Sequence, residues 1–144
     1  MFKKCMLFVV SVVMFSCSAT KNNEDKSLSN LEGSWQLNYI SGPRIAFDRL
    51  YPDAKPTIVF NTKENRVSGN NGCNSYSGSL NVSGNTIDFT QPMVATKKMC
   101  LNGQQGEQVY MSTLPKINHY SVSEDGKTLT FLVDDVAMMR FEKQ

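Results

Sequence analysis

Apolar and polar positions alternate with a period of two over most of this chain, and the alternation lays out a series of strands. Trp35, Leu37 and Tyr39 alternate with Gln36, Asn38 and Ile40, the pattern of a strand with one buried face. Thr57-Ile58-Val59-Phe60 predicts a second strand, and Lys63-Glu64-Asn65 a turn into Arg66-Val67-Ser68-Gly69. Leu80-Asn81-Val82 and Thr86-Ile87-Asp88-Phe89 flank Ser83-Gly84-Asn85, which predicts a hairpin. Another hairpin is expected from Ile117–Ser123 and Thr128–Asp134 around Glu124-Asp125-Gly126-Lys127, with Leu129, Phe131 and Val133 on one face. Asp134-Asp135 then turns into a last strand, Val136–Glu142, where Met139 and Phe141 share a face. The period changes once. From Gln104 to Leu114, Glu107, Tyr110, Met111 and Leu114 fall at helical spacing, and Pro115 is expected to stop the helix. The pattern predicts a mainly β (α+β) fold, either a curled antiparallel sheet or a partly open β-barrel with one helix.

One stretch departs from smooth alternation. Ser68-Gly69-Asn70-Asn71-Gly72-Cys73-Asn74-Ser75-Tyr76-Ser77-Gly78 is rich in residues that tolerate positive φ and poor in large side chains. It predicts a bulged or tightly turning segment that another part of the chain can approach closely. The glycines could suggest a phosphate cradle, but no Gly-Lys-Ser/Thr follows them. A structural turn explains the segment better.

The N-terminus has a different character. Met1-Phe2-Lys3-Lys4 precedes an apolar run from Cys5 to Phe15, too short for a membrane-spanning helix, which needs about 20 apolar residues. Residues 1–16 are therefore expected to be a secretory leader. Ser16-Cys17 at its end resembles the lipobox of bacterial lipoproteins, although Phe15 is larger than the residue usual there. That resemblance implies cleavage before Cys17, acylation of Cys17, and anchorage in the cell envelope, expected at the outer membrane. Residues 17–30 are polar and expected to form a flexible tether, leaving residues 31–144 as one domain.

Charge and cysteine usage narrow the function classes. Losing Lys3 and Lys4 takes the 15 basic residues down to 13, equal to the 13 acidic ones. The only adjacent basic pair in this neutral body is Lys97-Lys98, which a solvated strand end explains better than a phosphate site, so nucleic acid is a poor partner. With Cys5 removed and Cys17 alkylated, Cys73 and Cys100 remain as a candidate disulfide, favoured by an oxidising compartment. Two buried free thiols are the alternative. Zinc is weakly supported, since no Cys-x-x-Cys pair occurs and His119 is the only histidine. No Gly-x-Ser-x-Gly elbow or carboxylate pair suggests catalysis, so neither catalytic residues, nor a metal, nor a cofactor is expected.

Three segments carry a resemblance. Trp35-Gln36-Leu37, Val67–Gly78 and Ala95-Thr96-Lys97-Lys98-Met99-Cys100 are similar to the META-domain (HslJ-like) family, as are Glu107-x-x-Tyr110-x-x-x-Leu114 and Asp125-Gly126-x-x-Leu129. The likeness runs from about Leu31 to Glu142; Lys97-Lys98 depart from the family pattern. It implies a small, partly open barrel with a helix, no established enzymatic activity, and a link to envelope stress; the chain is accordingly expected not to be an enzyme. The expected function is a lipid-anchored binding module with an unknown envelope protein as partner. Its candidate contact residues are Arg44, Phe47 and Tyr51 in the Gly42–Lys55 loop, and Asn70 and Asn71 in the turn. A hydrophobic lid over the core explains Phe47 and Tyr51 equally well. The alternative function is a carrier of a small apolar ligand or lipid in the barrel interior, which requires an unfilled cavity.

Overall fold

The computed structural model describes residues 26–144; the expected leader, Cys17 and most of the tether lie outside the described residues. A helical turn, α1 (residues 26–31), opens the described body. Ten strands come after it: β1 (Gly33–Ile40), β2 (Thr57–Asn61), β3 (Arg66–Asn70), β4 (Ser75–Ser79), β5 (Asn81–Ser83), β6 (Thr86–Asp88), β7 (Val94–Ala95), β8 (His119–Val122), β9 (Thr128–Val133) and β10 (Val136–Lys143). Two more helices, α2 (Phe47–Leu50) and α3 (Gln104–Thr113), lie between strands. Leu28 of α1 packs against the core, so the packed body reaches a few residues N-terminal of the expected start at Leu31.

All strand pairs are antiparallel, in the order β5-β6-β8-β9-β10-β1-β2-β3-β4-β7. β4 and β5 stand near opposite ends of that order, yet only Leu80 separates them in sequence. Chain continuity therefore brings the two ends of the sheet together and curls it into a half-barrel. Leu80 is buried at the corner, and its N–H donates to the Asn65 carbonyl.

The interior face carries the apolar residues that the alternation predicted. Phe131 sits at its centre, with ring centroids 5.1 Å from Phe141, 5.4 Å from Phe89 and 6.5 Å from Phe60. Trp35 is fully buried and its indole N–H donates to the Leu31 carbonyl of α1 at 2.8 Å. The helical turn is thus fastened by the one polar atom of the largest core side chain.

Two β-bulges correct the simple alternation. Register shifts occur between Leu37 and Tyr39 on β1 and between Ala137 and Met139 on β10. An extra residue in a strand reverses the facing of every residue beyond it. Tyr39, expected inward with Trp35 and Leu37, is consequently 40 % exposed and lies under the Arg140 guanidinium, while Ile40 turns in. Pro115 does not end the helix sharply. It stands in a 3-10 turn, Leu114–Lys116, that extends α3, at a first-turn position where its missing N–H needs no partner.

Candidate functional site

The Gly-Asn-rich segment becomes a knot of side-chain amides between β3 and β4. Asn70 Oδ1 accepts from Gly72 N–H, and Asn71 Oδ1 accepts from the N–H groups of Cys73 and Asn74. These are Asx-type turns, in which a side-chain carbonyl stands in for a backbone acceptor. Gly72 supplies the positive φ, 98°, that lets the chain double back.

Asn74, 1 % exposed, ties this turn to two distant segments. Its Oδ1 accepts from Lys98 N–H at 2.7 Å and from Thr96 Oγ1–H at 2.9 Å. Its Nδ2 donates to Lys98 O at 3.1 Å and to Glu107 Oε1 at 2.8 Å. Asn71 Nδ2 reaches the same Glu107 oxygen at 3.1 Å. One amide thus satisfies both backbone groups of Lys98 and part of the Glu107 carboxylate, which sits in the first turn of α3, where the helix dipole favours an anion. The Cys73–Cys100 disulfide closes the same junction, with Cα atoms 5.9 Å apart. Its formation meets the expectation for the body cysteines.

α3 is held from the other side by tyrosines. Tyr76 Oη–H donates to the Thr57 carbonyl at 2.9 Å, so its single proton is committed and Tyr110 must donate to Tyr76 across 2.7 Å. Burial raises the pKa of both phenols well above the ordinary tyrosine range; the Tyr110 hydrogen bond opposes this at Tyr76, and the Tyr76 charge reinforces it at Tyr110. Tyr51 Oη–H donates to Gly106 O at 3.1 Å, and burial raises its pKa as well. Gly106 allows this approach, because a Cβ there would meet the Leu50 carbonyl and lie 2.6 Å from the Tyr51 ring.

The candidate contact residues therefore divide. Asn71 and Tyr51 are buried at 0 % and 3 % exposure and belong to the scaffold, which corrects their assignment as contact residues. Asn70 is half-buried and caps the turn, and Phe47 is half-buried against Tyr51, with centroids 5.1 Å apart, as a lid over the core. Arg44 remains exposed. The alternation did not mark an open groove of about 660 Å³ where β5 and β6 face the Pro115–His119 segment. Leu80, Val82, Ile87 and Ile117 supply apolar wall, with Asp88, Lys116 and His119 at its polar margin. The groove exists because β6 and β8 share only one register pair, Thr86 with His119, so the sheet opens there. His119 Nδ1 is engaged by Asn118 Oδ1 at 2.8 Å. Among the described residues no cluster of His, Cys, Asp and Glu could hold a metal ion, and no helix is long and apolar enough to cross a membrane.

A small antiparallel half-barrel, pinned at one end by a disulfide and an asparagine knot and crossed by one longer helix, is the class of protein these features define. The META domain profile matches residues 27–144, and the chain belongs to that family. A protein from Burkholderia xenovorans solved by NMR has a similar fold, with a TM-score of 0.63 at 22 % identity, covering 100 % of this chain and 99 % of that one. A crystal structure of a DUF4847 family protein from Bacteroides vulgatus is also similar, with a TM-score of 0.50 at 14 % identity, covering 79 % of this chain and 95 % of that one. No curated protein matches the chain in sequence.

Proposed function

We propose that this protein is a lipid-anchored, non-enzymatic binding module of the cell envelope, held to a membrane through acylated Cys17 and linked to envelope stress. The observation that carries the reading is the open groove beside a filled interior. The barrel axis is occupied by Trp35, Phe60, Phe131 and Phe141, so a ligand or partner is offered a surface rather than a cavity. The buried amides of Asn71 and Asn74 are spent on other members of the knot, which supports a scaffold role there and leaves binding to the groove. The Cys73–Cys100 bond supports an oxidising compartment. A carrier function is less well supported for the interior, but a small apolar molecule with a polar end would suit the groove walls.

Cell fractionation of the native protein and Cys17→Ala tests the anchor: the variant is expected in the soluble fraction, and unchanged membrane association defeats it. Crosslinking and pull-down of the anchored protein beside Val82→Arg, which projects charge into the groove, tests the binding face. The partner set should be lost in the variant. Identical partner sets would move the binding surface elsewhere, and native mass spectrometry showing a retained small molecule would favour the carrier.

A further inference from the structure

The segment that leads into the disulfide exposes large apolar side chains that the core has no use for. Met99 is 89 % and Leu101 93 % exposed, on either side of Cys100. Scattered exposed apolar residues are ordinary on protein surfaces. These two differ in being held. Cys100 is bonded to Cys73, and Asn74 fixes both the N–H and the carbonyl of Lys98, so the backbone that displays them is pinned at two successive points. Lys97 and Lys98 are exposed directly before them, while the Glu107 carboxylate at the same junction is held by the Asn71 and Asn74 amides.

We propose that the Lys97–Leu101 loop is a membrane-surface contact, in which Met99 and Leu101 enter the headgroup boundary of an anionic bilayer and Lys97 and Lys98 engage its phosphates. The chemistry is that of interfacial binding: shallow burial of apolar tips supported by cations at headgroup depth. A loop already fixed in its presenting conformation loses little freedom on docking. The proposal rests on the loop's own chemistry and not on the proposed acylation of Cys17.

Vesicle co-sedimentation separates the two. The protein beginning at Ser18, which carries no acyl chain and retains every described residue, is mixed at low salt with phosphatidylcholine vesicles or with vesicles containing phosphatidylglycerol. Binding is expected to the anionic vesicles alone and to weaken with salt. Lys97→Glu with Lys98→Glu should lower partitioning by roughly 30-fold or more, and Met99→Ser with Leu101→Ser by about tenfold or more. Unchanged melting temperatures would show that both variants fold. Absence of wild-type binding to anionic vesicles overturns the proposal, as does wild-type-like binding by either variant. Should the wild type ignore vesicles while the Met99/Leu101 variant loses a purified protein partner, the surface belongs to that protein and the membrane contact is refuted.

Discussion

Removing the Cys73–Cys100 bond gives the sharpest test of how this fold is stabilised. The two cysteines are 27 residues apart, and confining a loop of that length in the unfolded chain corresponds to about 3.5 kcal/mol. For a body of about 120 residues, with an unfolding entropy near 2.1 cal/mol/K per residue, that is a fall of about 14 °C in Tm. The native state should change little, because Asn74 clamps Lys98 through both backbone groups and onto Glu107, and these bonds do not require the cross-link, although Asn74 Nδ2 also donates to Cys73 Sγ at 3.3 Å. The assay is thermal unfolding followed by circular dichroism for wild type, wild type with reductant, and Cys73→Ser with Cys100→Ser, the double change leaving no unpaired thiol in the body. Reduction and the double substitution should give the same shift, with native spectra superimposable before melting. A shift below about 3 °C would show that the cross-link does not constrain the unfolded chain. A reduced protein that lost its native spectrum at low temperature would refute the claim that the amide knot holds the junction alone.

The same contacts set four other expected outcomes. Asn74→Asp removes the Nδ2 donations to Lys98 O, Glu107 Oε1 and Cys73 Sγ and sets a second carboxylate beside Glu107, so denaturant unfolding should show a loss of about 3 kcal/mol or more, and a loss below about 1 kcal/mol would demote the knot. Gly106→Ala inserts a methyl between α3 and the Leu50–Tyr51 backbone and ring; overpacking of this kind costs about 1–3 kcal/mol, and an unchanged midpoint would mean the helix moves freely there. Tyr51, Tyr76, Tyr110 and Tyr120 all keep their protons more firmly folded than unfolded, through burial. Stability should therefore be level below the unfolded tyrosine pKa of about 10 and fall as pH rises above it. Phenolate absorbance from these rings should appear together with unfolding; its appearance in a protein that remains folded would contradict their burial. At the acid end, Glu32 and Asp88 are held below the usual carboxylate range by hydrogen bonds from Thr62 and Thr90, and Asp125 by one from Ser123. Their contribution is present above the ordinary carboxylate pKa and is lost as pH falls through the lowered values, a decline that Thr62→Val should reduce in a pH series of melting temperatures.

Much of this molecule was legible in one dimension. Strand positions, the hairpins at Gly84 and Gly126, and the helix from Gln104 arise from periodicity and turn chemistry, which are local properties. The body cysteines were readable because few thiols were left to pair. Tyr39 was misplaced because a bulge is an inter-strand event: the extra residue exists only relative to the register of β10. Tyr51 and Asn71 looked like contact residues because aromatic loops and asparagine turns are common at interfaces, yet whether such a side chain meets a partner or another segment of its own chain depends on what packs beside it. Here Gly106 and Glu107, more than 30 residues away in sequence, decide the matter.

The sequence by itself determined the alternation, the one helical stretch, the charge balance and the neutral, glycine-rich turn that a second segment could approach. Those depend on neighbours within a turn or a strand. Only the tertiary structure decided that Leu80 joins the two ends of the sheet, that β6 and β8 part to leave a groove, and that one asparagine binds three segments together. Such features arise from contacts between residues far apart along the chain, where closure of the sheet and the limited reach of each side chain set which groups meet.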